Sequence, residues 1–120
     1  MQILKHLKYA FDKKEMARAY ASVRADIERD VGNLHKMRAA ALPLPKSVAG
    51  NLTEEVDLAI RQGEECLRRV DALLESLAED RVGYFMGQAR ALHSSTSRFA
   101  ALSSKIDEHL MEIRANLGMP

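Results

Sequence analysis

The chain has 120 residues with 18 Lys and Arg against 17 Asp and Glu, and its 47% of hydrophobic residues includes no Trp, three Phe and three Tyr. This length suits one domain around one core, and charges of both signs beside so much apolar material exclude a disordered chain. A net charge of +1 excludes a whole-molecule field that would draw in nucleic acid or an anionic membrane.

A core poor in aromatics must be assembled from Leu, Ile, Val, Ala and Met, which favours helix packing over sheet packing. The lone Cys66 makes no intramolecular disulfide, and four His at irregular spacing form no zinc pattern with it, so neither metal nor cofactor is expected. There is no apolar run of about 18 residues and no short apolar leader, so no membrane span is expected and the chain reads as cytoplasmic.

From Met1 to Phe11 the residues Ile3, Leu4, Leu7 and Phe11 recur at helical spacing among Lys5, His6 and Lys8. This predicts a short basic amphipathic helix over about 1–11, able to dock on the bundle or to touch a membrane surface weakly. Asp12 and Glu15 then read as a D-x-x-E capping box, so a long helix is expected to begin or restart there and run over about 13–41. Its stripe is Met16, Tyr20, Val23, Ile27, Val31, Leu34 and Met37. Pro43 and Pro45 end it and open a loop over about 43–52.

Asn51 or Thr53 is expected to cap the next helix, over about 53–79, with Glu54, Glu55 and Asp57 in its first turn. Val56, Ile60, Gly63, Leu67, Val70, Leu74 and Leu77 form a strict heptad stripe. Asp57 with Arg61, Glu64 with Arg68 and Glu65 with Arg69 are acid-first pairs four apart, as on a solvated face. Asp80 either caps a new helix or lies within a continuing one. The last helix, over about 81–117, carries Phe85, Ala89, Leu92, Thr96, Phe99, Leu102, Ile106, Leu110, Ile113 and Leu117, with Gly118 as its stop.

The most distinctive segment opens this last helix. From Val82 to Ser104 the only charges are Arg90 and Arg98, and Gly83 and Gly87 stand four apart among Ala91, Ser94, Ser95 and Ser97. A helix without a charged face is expected to be covered, either at the centre of the bundle or where two copies meet. Alternatively, Arg90, His93, Ser94, Ser95, Thr96, Ser97 and Arg98 line a site for an anionic ligand, since hydroxyl and guanidinium groups suit phosphate or carboxylate. The candidate partner or ligand surface is thus Tyr84, Gly87, Arg90, His93, Ser94, Ser97 and Arg98.

The run Ala89-Arg90-Ala91-Leu92-His93-Ser94 resembles the A-H-x-L-K-G core of histidine phosphotransfer domains over about 30 residues. Arg90 stands where that family has its phosphorylated His, His93 where it has Lys, and Ser94 where it has Gly. The resemblance therefore implies a degenerate bundle that senses a phospho-group or small anion without being phosphorylated. Arg29 and His35 fit the loose R-x(4 to 6)-H spacing of helical ribonucleases of the HEPN type, in which the two residues meet at a dimer groove. No di-iron, P-loop or nucleophile-elbow motif is present, and an enzyme is not expected.

These features predict an all-α antiparallel bundle of three long helices with a short N-terminal helix, completed by homodimerisation into a four-helix-type arrangement. The expected function is that of a non-enzymatic interaction or adaptor protein working through helix faces on itself or another protein. A small-anion sensor, a nucleic-acid accessory protein and a HEPN-like ribonuclease are the alternatives.

Overall fold

The computed structural model describes the backbone of residues 2–79 and 82–118 and the side chains of 13–79 and 83–118. It contains α1 (Gln2–Ala41), α2 (Lys46–Ala49), α3 (Leu52–Ala78) and α4 (Val82–Asn116), with no strand among the described residues. The three long helices form the expected all-α bundle.

Contacts fix the directions. Arg24 pairs with Asp71 and Arg38 with Asp57, so residue numbers rise along α1 as they fall along α3. Glu55 meets His109 and Gln62 meets Ser95, giving α3 and α4 the same antiparallel relation. α1 and α4 are therefore parallel, and Tyr20, midway along α1, meets Phe85 near the start of α4 edge to face with ring centroids 6.0 Å apart. The molecule is a rod of 65 × 22 × 18 Å with a radius of gyration of 18.9 Å. A compact sphere of this length would be about 14 Å, so the core is thin and long.

The α1 stripe behaves as its periodicity predicts: Ile27, Val31, Leu34 and Ala41 are buried, and Met16, Tyr20, Val23 and Met37 pack partly buried against them. The middle helix differs. α3 buries Val56, Ile60, Gly63, Val70 and Leu77 from its heptad stripe, and also Leu52, Ala59, Cys66 and Leu73. Those last four recur every seventh residue and form a second stripe, because α3 has a long helix on each of two sides. α4 buries Phe85, Leu92, Phe99 and Ile106, one every seventh residue, a narrower seam than that of α3.

Several expectations need correction. No break separates a helix over 1–11 from one beginning near 13, since α1 runs unbroken through Asp12 and Glu15. The side chains of Ile3, Leu4, Leu7, Phe11 and Asp12 lie outside the described residues. The expected loop over 43–52 contains α2, stopped at Gly50 with φ +58°, in the left-handed region that glycine tolerates. Asn51 holds the N-cap position of α3 without a side-chain cap bond. α3 and α4 are separate helices, and Asp80 lies outside the described residues. Gly118 does end α4, with φ +68° and its N–H donating to the Ala115 carbonyl at 3.1 Å.

The charged outer face keeps the expected pair of Glu65 with Arg69 but differs in the other two. Glu65 accepts from Arg68 three residues on and lies 3.1 Å from Arg69 Nε four residues on, while Asp57 pairs across to Arg38 on α1 rather than with Arg61.

Candidate functional site

The acid-free stretch of α4 is not at the centre of the bundle; α3 is. Tyr84, Gly87, Arg90, His93, Ser94, Ser97 and Arg98 are all exposed. The buried side of the same helix is carried by Phe85, Leu92, Ser95 and Phe99. A step of about 100° per residue puts Gly87, Arg90, Ser94 and Ser97 on one stripe diametrically away from that core.

The other three candidates diverge from the stripe. Tyr84 lies on the side of a small recess formed with Ala72, Glu75, Ser76 and Glu79 at the end of α3. His93 turns toward α1 and shares a 170 Å³ groove with Tyr20, Val23, Ala89, Leu92 and Thr96. Arg98 lies at the opposite edge of the stripe. The structure thus brings together four of the seven.

The Gly83 and Gly87 pair does not serve packing within the chain, because a Cβ at either position would meet nothing within 4 Å. The glycine that does allow close approach is Gly63 of α3. A Cβ there would come 3.0 and 3.1 Å from the Phe99 ring and would overlap Val31 Cγ2. Its place in the heptad gave no sign of this, since periodicity reports which face is buried and not how near the neighbouring helix lies.

The residues expected to line an anion site do not all share one exposed surface. Ser95 is buried, and its carbonyl accepts from Gln62 Nε2 at 3.1 Å. Thr96 Oγ1 donates back to the His93 carbonyl at 3.0 Å, the local bond that serine and threonine make in helices. Arg90 and Arg98 make no ion pair among the described residues, yet eight residues of helix hold them about 12 Å apart along the axis.

No match is found. Neither protein-family models, curated proteins nor solved structures resemble this chain.

The remaining polar features lie elsewhere. His35, Arg38, Asp57, Ile60, Arg61 and Glu64 line an open groove of about 500 Å³ between α1 and α3, in which Arg38 and Asp57 already satisfy each other. Arg29 pairs with Asp26 and Asp30 on its own helix, so it is not held against His35 within the chain. His109 Nδ1 lies 3.3 Å from Glu55 Oε2 where α4 crosses the start of α3. Cys66 is fully buried, and burial pushes its thiol pKa up, with Glu65 adding to the shift. A thiol in that state is a poor nucleophile. Among the described residues no group of three or more His, Cys, Asp or Glu is placed to hold a metal ion, and no helix is long and apolar enough to cross a membrane.

Proposed function

We propose that this chain is a non-enzymatic interaction module whose working surface is the outer face of α4. One observation carries the reading: the exposed side of α4 from Gly83 to Ser104 has no acid and only two Lys or Arg residues, Arg90 and Arg98. The exposed sides of the other long helices are densely charged, as with Asp26, Glu28, Arg29 and Asp30 on α1 and Glu64, Arg68, Asp71 and Glu75 on α3. A solvated helix is kept soluble by such charges. The α4 face instead presents glycine, serine and alanine, which let another helix approach its backbone closely, beside Met86 at 50% exposure, an adaptable apolar contact.

The test is a photo-crosslinking residue placed at Ser94, on this face, and in a second variant at Ala25, exposed on α1. A discrete adduct at position 94 and none at 25 supports the reading. No adduct at 94, or equal yields at both positions, overturns it.

A further inference from the structure

We propose that the occupant of the α4 face is a second copy of this chain, docked so that α4 lies antiparallel to the partner's α4 about a twofold axis at Phe99. This rests on the reading of that face as the working surface. Small residues alone do not name an occupant; charge, size and length on this face do.

The exposed stripe does not end at Ser104. It continues with alternating steps of three and four through Glu108, Met111 and Ala115, every one of them exposed, and so follows a heptad pattern from Gly83 to the end of α4. Phe99 is the middle residue of the 35 in the helix, so an antiparallel pair with full overlap pairs positions equally distant from it. In that register each stripe residue meets a stripe residue of the other copy, as an antiparallel coiled coil requires.

The chemistry of the pairs is complementary. Arg90 falls opposite Glu108 of the partner subunit, and neither makes an ion pair within its own chain among the described residues. Gly87, with open space over its Cα, falls opposite Met111, at 69% exposure the most exposed of the large hydrophobic residues among those described. Near the axis Ser97 meets Ala101, and farther out Ser94 meets Ser104, all small enough for close approach. A parallel pair would set Arg90 against Arg90, Glu108 against Glu108 and Met111 against Met111, with the glycines facing each other. The same sequence thus disfavours the parallel alternative.

One residue opposes the pairing. Arg98, at the edge of the stripe one residue from the axis, approaches its own copy. Its removal is therefore expected to tighten the dimer.

The test is sedimentation equilibrium of the full chain and of Arg90→Glu, Glu108→Arg, the double charge swap and Arg98→Ala, with circular dichroism reporting the fold of each. The wild type is expected to form dimers at about 100 μM or below. Each single reversal sets like charges opposite one another and weakens association about tenfold or more, and the double swap restores it to within a few-fold of wild type. Monomeric wild-type protein, single reversals that associate as well as wild type, a double swap that recovers nothing, or an Arg98→Ala variant that associates more weakly would each overturn the proposal. Failure here is distinguishable from failure of the broader reading. Monomeric wild-type protein whose position-94 crosslinker captures a different chain rejects the second copy and leaves the surface; no adduct of any kind rejects both.

Discussion

Gly63 on α3 stands so close to Phe99 on α4 that a methyl group at position 63 would lie 3.0 Å from the ring, with Val31 of α1 pressed on it from the other helix. The three long helices meet at this point. Gly63→Ala gains about 1 kcal/mol of helix propensity but overpacks the junction, which typically costs about 1–3 kcal/mol. A net loss of stability is expected in urea unfolding, with partial recovery when Val31→Ala is added to make room. Stability equal to or above wild type for the single variant would show that the junction is looser than its geometry implies.

The two α4 glycines should respond with the opposite sign. Nothing lies within 4 Å of a Cβ at Gly83 or Gly87. In dilute protein, where any dimer is dissociated, Gly83→Ala and Gly87→Ala are each expected to raise stability by about 0.5–1 kcal/mol through helix propensity. Thermal melts at low concentration measure it. Gly87→Leu should leave the dilute melting temperature near or above wild type while weakening association, because its bulk meets only the partner.

Arg24 binds Asp71 through Nε at 2.7 Å and also pairs with Glu28, which holds the guanidinium pKa above its already high value. This pair and the Arg38–Asp57 pair lie 14 residues apart on each helix and together specify one antiparallel register. Asp71→Asn is expected to lower the melting temperature at low salt, with the difference from wild type shrinking as salt rises, since exposed pairs are screened. A difference independent of salt would assign the effect to packing.

Cys66 is expected to react with a water-soluble disulfide reagent only as fast as the chain opens. Native protein and protein in denaturant should therefore differ widely in labelling rate, and the native rate should follow stability across the variants above. Burial raises the thiol pKa in the folded state. The stability that this linkage supplies is fully present below the free-thiol value of about 8.5 and declines as pH rises beyond it, because the unfolded chain then releases a proton the folded chain retains. Cys66→Ala should show a smaller loss of stability between neutral and alkaline pH.

Local patterning was enough to identify the fold class, the three long helices and most of the core. The three-four rhythm from Met16 to Met37, the heptads from Val56 to Leu77 and the spacing from Phe85 to Ile113 each mark a buried face, because a helix must hide its apolar side whatever its neighbour is. The acid-free run on the last helix was equally plain. Tertiary structure decided how those faces are shared. Periodicity does not reveal which helix lies between the other two, so the centre of the bundle fell to α3, with its second stripe through Leu52, Ala59, Cys66 and Leu73, and the acid-free face of α4 was left in solvent. Likewise, glycine spacing in α4 suggested close packing, yet the close contact is at Gly63, because the distance between two helices depends on side chains from both at their crossing and cannot be read from either alone.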